Sequence, residues 1–227
     1  MVELIFTHIP KTAGLSFLHT LNEVYGQKNV RQVWDYLEEP RNDMALTDIG
    51  SPFWSDYAGF RTRLEEQLKG VKDKVLHGHL PVWFLEDMFP GVPRVTWMRE
   101  PIEQVLSRVF HYRKESFPIA QEYTPQGLAR RPWFRNSQFF YTGGSLRNFA
   151  FVGVVERYEE DLKRLAGYLD WPDVEPLHLH RTEYEDDTRL ALRSDVDFCE
   201  EMRQLNYRDV ALYEWAKMRR ERALGTV

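Results

Sequence analysis

Cysteine is nearly absent from this sequence, since Cys199 is the single one among 227 residues. A lone thiol excludes an internal disulfide and a zinc site built from several cysteines, and we predict that Cys199 is a core residue. The sequence also has no net positive charge, because 35 acidic residues outnumber 30 lysines and arginines and leave a net charge of −5. We therefore expect no nucleic-acid partner, although a local basic pocket remains compatible with this composition.

Long apolar runs are absent as well. No stretch approaches the ~18 consecutive apolar residues that a membrane-spanning helix needs, and "MVELIFTH" begins with a strand pattern instead of a secretory signal. These absences predict a cytoplasmic protein without a membrane span. The sequence does contain 43% hydrophobic residues, enough for the core of a single domain over residues 1–227, and it leaves the oligomeric state open.

Strand and helix patterns alternate along the chain. The strand patterns cover residues 3–8, 74–79, 93–100 and 148–156. The helical patterns run from Gly14 onward, over 55–70, from Pro101 onward, over 157–171 and over 205–223. Residues 40–55 and 171–188 have the composition of loops. This order predicts an α/β protein with a P-loop-like three-layer fold, in which helices flank a central parallel sheet.

Four polar residues fall where predicted strands end. Lys11 follows the first strand, His77 and His79 close the second, and Arg99 closes the third. In parallel sheets of this kind, ligands bind at the carboxyl ends of the strands. We therefore expect these side chains to share one rim.

The segment "FTHIPKTAGLSF", residues 6–17, has the character of an anion-binding loop between a strand and a helix. It lacks the pattern G-x-x-x-x-G-K-[ST] of nucleotide-binding loops. Lys11 supplies a positive charge, and the backbone N–H groups that open the helix can face one phosphate. These groups belong to Thr12, Ala13, Gly14, Leu15 and Ser16. The alternative is an ordinary strand–helix turn with an exposed lysine.

A second candidate element is "VTWMREPIEQVLSRVFHYR", residues 95–113. Arg99 stands at the strand end, and Ser107 lies two turns into the following helix, away from its apolar stripe. A guanidinium together with a hydroxyl suits a second phosphate. In the alternative interpretation, Arg99 pairs with Glu100 or Glu103, and Ser107 is a small packing residue.

The two elements together resemble the sulfotransferases, especially their carbohydrate branch. "HIPKTAGLSF" is similar to the loop that binds the 5′-phosphosulfate in that family, and residues 95–112 are similar to its 3′-phosphate element, in the same order. The resemblance implies the donor 3′-phosphoadenosine-5′-phosphosulfate (PAPS) and the product adenosine 3′,5′-bisphosphate. It also implies that Lys11 through Phe17 surround the phosphosulfate and that Arg99 and Ser107 bind the 3′-phosphate.

A late segment, "HLHRTEY" at residues 178–184, resembles a further cofactor loop of the family. The resemblance implies that Arg181 and Thr182 close over the nucleotide. Leu15 departs from the family pattern, which often has Thr at this position, so one hydroxyl contact is lost while the backbone N–H remains.

His77 and His79 lie in "LHGHLP", residues 76–81, between the two cofactor elements. Residues two apart on a strand face the same side, so the imidazoles are expected to share one environment. Two ligands are too few for zinc, and we expect no metal. In the other interpretation, the two histidines are core or surface residues at a strand end and have no catalytic role. The segment resembles the catalytic histidines of heparan sulfate 2-O-sulfotransferase, which implies that His79 is the general base and that His77 supports it.

The function predicted from these features is sulfuryl transfer from PAPS to the hydroxyl of a carbohydrate or other small hydroxylated acceptor. Two other functions stay open: a P-loop kinase-like phosphotransferase and a non-catalytic nucleotide-binding module. The aromatic segment 133–144 either lines the acceptor pocket or forms core. Three arginines could attract an acidic acceptor or simply lie on the surface: Arg130, Arg131 and Arg135.

Overall fold

The computed structural model describes residues 1–33, 57–177 and 187–225. Its centre is a five-stranded parallel sheet with strand order β2-β3-β1-β4-β5. The strands are β1 Leu4–Thr7, β2 Val30–Gln32, β3 Val75–Gly78, β4 Arg94–Met98 and β5 Phe151–Val154. The predicted parallel sheet is therefore confirmed, and its first strand, β1, lies in the middle.

The described helices follow the strands in chain order. They are α1 Gly14–Tyr25, α2 Tyr57–Leu68, α3 Trp83–Glu86, α4 Pro101–Lys114, α5 Pro118–Gln121, α6 Pro125–Ala129, α7 Ser137–Tyr141, α8 Tyr158–Tyr168, α9 Asp187–Ser194, α10 Val196–Leu205 and α11 Tyr207–Leu224. Short 3₁₀ turns cover Gln27–Asn29, Pro132–Phe134 and Val155–Arg157. Throughout these described ranges, every helix is too short or too polar to cross a bilayer.

Helices cover both faces of the sheet because successive strand side chains point to opposite sides. On one face, Phe6 of β1 packs edge-on against Phe17 of α1, in a core that α8 completes. On the other face, Ile5 packs in a core with Phe60 of α2. Met98 of β4 lies on that second face and packs with α11. The three-layer arrangement expected from the sequence is thus present.

Some elements were not predicted from the sequence. Strand β2 is only three residues long and half-buried, so it has too little apolar pattern to be recognised. The predicted loop over 171–188 is wrong at its end, since α9 begins at Asp187. The final predicted helix is confirmed as α11, with α9 and α10 preceding it. The predicted loop over 40–55 lies outside the described residues.

Two local predictions concern single residues. Pro101 occupies the first turn of α4, and the side chain of Glu100 caps that helix by accepting a hydrogen bond from the backbone N–H of Glu103 at 2.8 Å. Cys199 is buried in the core formed by α4, α6, α9 and α10. Both predictions are confirmed.

Candidate functional site

The loop between β1 and α1 has a strained backbone. Lys11 and Ala13 have left-handed backbone angles, with φ of 65° and 62°, although neither is glycine. A left-handed conformation costs a residue with a Cβ about 1–2 kcal/mol. Such strain persists where the surroundings fix it, and it gathers at sites that bind ligands. Left-handed residues in a tight loop also turn successive N–H groups into an anion-binding concavity.

Three consecutive carbonyl groups of this loop are held by the protein. The hydroxyl of Thr12 donates to the carbonyl of Ile9 at 2.9 Å, and Nε2 of Gln104 donates to the carbonyl of Pro10 at 2.9 Å. A guanidinium N–H of Arg99 donates to the carbonyl of Lys11 at 3.1 Å. With the carbonyl groups fixed toward the protein, the peptide planes of the loop have one defined orientation. The buried Thr12 hydroxyl is thereby committed to the loop itself.

The beginning of α1 is open to an anion. Among the described residues, no side chain caps this helix terminus, and its first turn contains no acidic residue. The N–H groups of the first turn and the positive end of the helix dipole both favour a negatively charged ligand. Ser16 is buried in the first turn, whereas the Leu15 side chain is 52% exposed. Leu15 therefore offers an apolar surface beside the loop.

Gly14 is required for close packing at this point. A Cβ added to Gly14 would collide with the imidazole of His8. His8 follows β1 directly and is 8% exposed, so its ring fills the space in front of the loop. The sequence places His8 at a strand end with the other polar residues, but its role was not predicted.

Arg99 joins the two predicted cofactor elements. In addition to its bond to the Lys11 carbonyl, its guanidinium lies 3.6 Å from a carboxylate oxygen of Glu103. The pairing with Glu103 that the sequence left open is therefore present, together with the contact to the loop. Burial lowers the pKa of Arg99 and Glu103 opposes that effect, but guanidinium stays cationic at neutral pH.

Glu103 is the centre of a cluster of arginines. Besides Arg99, its carboxylate pairs with Arg189 at 3.2 Å and with Arg193 at 2.9 Å. Three guanidinium groups thus surround one carboxylate, and the carboxylates of Glu100 and Glu156 also act on Arg99. Ser107 is buried one turn further along α4, on the same helix face as Glu103. Both added arginines lie on α9, an element that the sequence did not reveal.

The backbone of Arg99 is fixed by α7. Its N–H donates to Oε1 of Gln138 at 2.9 Å, and its carbonyl accepts from Nε2 of the same side chain at 2.8 Å. The neighbouring Ser137 hydroxyl accepts a hydrogen bond from Gln104 at 2.9 Å. Because Gln104 also holds the Pro10 carbonyl, α7 is connected to both predicted cofactor elements. The sequence carries no signal for these amide contacts.

His79 lies one residue beyond β3 and contacts His8 in two ways. Its Nδ1 is 2.7 Å from the backbone carbonyl of His8, and the two imidazole centroids are 4.1 Å apart. A carbonyl only accepts hydrogen bonds, so Nδ1 of His79 carries the proton in this contact. In the neutral ring, the lone pair is then on Nε2, which is the arrangement that a general base requires.

His77 is buried and its ring stacks near Phe6, with centroids 6.5 Å apart. Burial, with a further contribution from His79, lowers the pKa of His77 to about 4. His77 is therefore neutral at physiological pH and contributes no charge to the site. Within the described ranges, no group of three or more histidine, cysteine or acidic residues has the arrangement of a metal site.

The remaining residues predicted for the site are two late cofactor residues, the aromatic segment and three arginines. Arg181 and Thr182 lie outside the described residues. The segment 133–144 contributes core residues, and Tyr141 also lies 6.4 Å from His79 between ring centroids. The three arginines proposed for an acidic acceptor make contacts within the protein. Arg130 pairs with Glu201, Arg131 lies over the Tyr123 and Trp133 rings, and Arg135 donates to the Arg130 carbonyl.

By sequence, the chain matches none of the protein-family models and none of the curated proteins. Among solved structures, it is similar to mouse sulfotransferase SULT7A1 complexed with PAP, at 15% identity and a TM-score of 0.43, over 85% of this chain and 63% of the mouse chain. A sulfotransferase from Alicyclobacillus acidocaldarius is also 15% identical, with a TM-score of 0.43, over 94% of this chain and 99% of its own.

Retinol dehydratase in a complex with retinol and PAP is 20% identical, with a TM-score of 0.36, over 74% of this chain and 58% of its own. This chain therefore spans less than two thirds of the mouse sulfotransferase and of retinol dehydratase, but nearly all of the bacterial protein.

Proposed function

We propose that this protein is an O-sulfotransferase that moves a sulfuryl group from PAPS to a hydroxyl of a carbohydrate or other hydroxylated metabolite. The observation that carries the proposal is the hydrogen bond from Arg99 to the carbonyl of Lys11. It joins two segments 88 residues apart that resemble, in the same order, the 5′- and 3′-phosphate elements of the sulfotransferases. A single nucleotide with phosphate groups at both its 5′ and 3′ ribose positions explains why both elements occur at one rim.

The residues at this rim fit such a nucleotide. The uncapped start of α1 and the left-handed loop residues suit the 5′-phosphosulfate, with Lys11 supplying the positive charge. Arg99 and Ser107 would hold the 3′-phosphate, and the arginines around Glu103 offset its carboxylate. Arg181 and Thr182 remain proposed ligands on the strength of the sequence resemblance.

PAPS, when bound, supplies an activated sulfuryl group whose leaving group is a phosphate. The acceptor oxygen forms a bond to sulfur while the bond from sulfur to the bridging phosphate oxygen breaks. The hydroxyl proton passes to Nε2 of His79, whose Nδ1 is engaged by the His8 carbonyl. Lys11 and the N–H groups of α1 stabilise the charge that develops on the leaving phosphate. His77 supports the base as a neutral ring.

A saccharide acceptor is favoured within this proposal by the segment 76–81, whose two histidines resemble those of heparan sulfate 2-O-sulfotransferase. The exposed Leu15 side chain offers an apolar surface beside the loop, against which a sugar face can pack.

Ligand stabilisation is the first test. Thermal unfolding is measured with adenosine 3′,5′-bisphosphate and, separately, with ATP and Mg²⁺. We expect the bisphosphate to raise the unfolding temperature and ATP with Mg²⁺ to have little effect, because the loop lacks the Walker glycines. Preferential stabilisation by ATP with Mg²⁺ would contradict the proposal and favour a phosphotransferase.

Sulfate transfer is the second test, with radiolabelled PAPS and a panel of saccharides and small hydroxylated metabolites. For an accepted substrate, we expect His79→Ala to lower kcat by about 10²- to 10⁴-fold, as loss of a general base does. His19→Ala, which removes a half-buried histidine from α1, is the matched control and should retain wild-type turnover. Binding of the bisphosphate without transfer to any acceptor would support the non-catalytic module.

A further inference from the structure

The His8 side chain lies between the donor loop and His79. On one side its ring faces the His79 ring, with 4.1 Å between centroids and 35° between planes. Its backbone carbonyl simultaneously accepts the hydrogen bond from Nδ1 of His79 at 2.7 Å. One residue therefore fixes both the position of the His79 ring and the identity of its protonated nitrogen.

The His8 ring also packs against the donor loop, at Gly14. Its atoms occupy the volume that a side chain at position 14 would need, so glycine is the residue that fits there. Phe6 stacks on the same imidazole, with centroids 5.2 Å apart and planes 17° apart. The ring is thus confined by Phe6, Gly14 and His79, and it is a spacer of fixed thickness between the loop and the base.

We infer that His8 is a positioning residue, which holds the His79 base at a set distance from the sulfuryl-donor loop. This inference rests on the proposed function, since it assigns His8 a part in the same reaction. Catalytic groups displaced by about 1 Å lose on the order of 10²-fold in rate, so a spacer in direct contact with both partners matters for turnover.

The surroundings of His8 keep the spacer uncharged. Burial lowers the pKa of His8 well below its usual range, and His79, His77 and Lys11 lower it further. A protonated His8 would repel both Lys11 and a protonated His79. A neutral ring contributes shape and contact without competing for the acceptor proton.

His8→Ala removes the spacer and keeps the backbone carbonyl. We expect kcat to fall by about 10- to 100-fold, while the Kd for adenosine 3′,5′-bisphosphate changes by less than about threefold. The control His19→Ala should leave both quantities at wild-type values. An unchanged kcat in His8→Ala, or an equal loss in kcat and bisphosphate affinity, would overturn the positioning role.

A double-mutant cycle with Gly14 tests whether the His8 ring fills the space beside position 14. The cycle remains informative if His8→Ala alone packs poorly. Gly14→Ala should lower kcat because its methyl group displaces the His8 ring. In His8→Ala/Gly14→Ala the methyl group has room, so the double variant should be no slower than His8→Ala. Losses that simply multiply would show that the two residues act independently and would overturn the inference.

A measurement on the ligand-free protein separates this inference from the proposed function. The ring ¹⁵N shifts of His79 report which nitrogen carries the proton, and they require no turnover. The Nδ1–H form should persist in both proteins, because His8→Ala keeps the carbonyl that accepts this hydrogen bond. The order of the His79 ring, measured by ¹³C relaxation, should fall in His8→Ala, because the ring loses its packing partner. An equally ordered His79 ring in both proteins would overturn the role of His8, whereas failure of the wild type to transfer sulfate would overturn the proposed function.

Discussion

Lys11 combines a strained backbone with a charge at a single position. Glycine adopts left-handed angles at no steric cost, yet this loop has lysine at φ 65° and alanine at φ 62°. The protein therefore accepts a cost of about 1–2 kcal/mol at Lys11. The cost is reasonable if the side chain is needed where the backbone N–H groups converge, which is what the proposed leaving-group role requires.

Two substitutions at Lys11 separate the charge from the backbone strain. We expect Lys11→Ala and Lys11→Gly to reduce kcat for sulfate transfer similarly, by at least about 10²-fold, because both remove the ammonium group. Lys11→Gly should nevertheless unfold at higher denaturant, with a free energy of unfolding about 1 kcal/mol above that of Lys11→Ala, because glycine relieves the left-handed strain.

Turnover assays and urea unfolding of both variants check this expectation. Lys69→Ala, at an exposed lysine that follows α2, is the control for loss of one positive charge. Equal stability of the two Lys11 variants would argue against strain at this residue, and retained turnover in either would argue against the proposed role of the ammonium group.

At the scale of single elements, the start of α4 brings a positive charge and negative charges together at the proposed phosphate site. Its capping residue Glu100 follows Arg99, Glu103 lies one turn into the helix, and Ser107 lies one turn beyond. A phosphate held by Arg99 and Ser107 would approach the Glu103 carboxylate. The pairing of Glu103 with Arg189 and Arg193 reduces this repulsion and attaches α9 to the site.

Removing the Glu103 charge should therefore affect stability and ligand binding in opposite directions. In Glu103→Gln, three guanidinium groups lose their shared counterion, so the free energy of unfolding should fall by about 1–3 kcal/mol. Affinity for adenosine 3′,5′-bisphosphate should rise by about three- to tenfold, because one negative charge leaves the neighbourhood of the phosphate. Urea unfolding and titration calorimetry measure the two effects.

Glu200→Gln is the matched control, because Glu200 pairs with Arg203 at 3.7 Å on an exposed part of α10. Its effect on stability should be below about 0.5 kcal/mol, with no effect on binding. Weaker bisphosphate binding by Glu103→Gln would mean instead that the carboxylate is needed to orient Arg99.

The elements that the sequence revealed are those with a long apolar pattern. Strands β1, β3, β4 and β5 were predicted because burial on both sheet faces gives continuous apolar runs, and α1, α2, α4, α8 and α11 were predicted from their helical patterns. The rim followed from the topology, since parallel strands place Lys11, His79 and Arg99 at one edge. Strand β2 and α9 were missed because one is very short and the other is polar on most of its surface.

The contacts within the site were harder to predict from the sequence than the strands and helices. His8 was visible as a polar residue at a strand end, but its packing against Gly14 depends on the path of a loop that no local pattern specifies. The amide contacts of Gln104 and Gln138 depend on the meeting of segments more than 30 residues apart. Tertiary packing, and not local propensity, determines them.

At the scale of the whole molecule, the C-terminal helix is connected to the site through α7. Both carboxylate oxygens of Asp209 on α11 accept backbone N–H groups at the start of α7, from Gln138 at 3.1 Å and from Phe139 at 2.6 Å. The side chain of Gln138 in turn holds the backbone of Arg99. A buried carboxyl group far along the chain thus orients Arg99, the residue that joins the two proposed cofactor elements.

Asp209 should make the stability of the protein depend on pH. Burial raises the pKa of its carboxyl from the ordinary 3.8 to about 7, while the two N–H groups and Arg108 partly oppose the rise. Between these values the folded protein binds a proton at Asp209 that the unfolded chain has lost, so the contribution of Asp209 to the free energy of unfolding falls as pH rises from about 4 to about 7 and levels off above. Asp209→Asn removes this titration.

The wild type should therefore lose stability relative to Asp209→Asn across that pH window, and the difference between them should be constant above it. Urea unfolding at several pH values between about 4 and about 8.5 measures the difference. Asp173→Asn, at an exposed position after α8, should keep the pH dependence of the wild type. A difference between wild type and Asp209→Asn that does not vary with pH would show that the carboxyl is ionised throughout, held in that state by the α7 N–H groups.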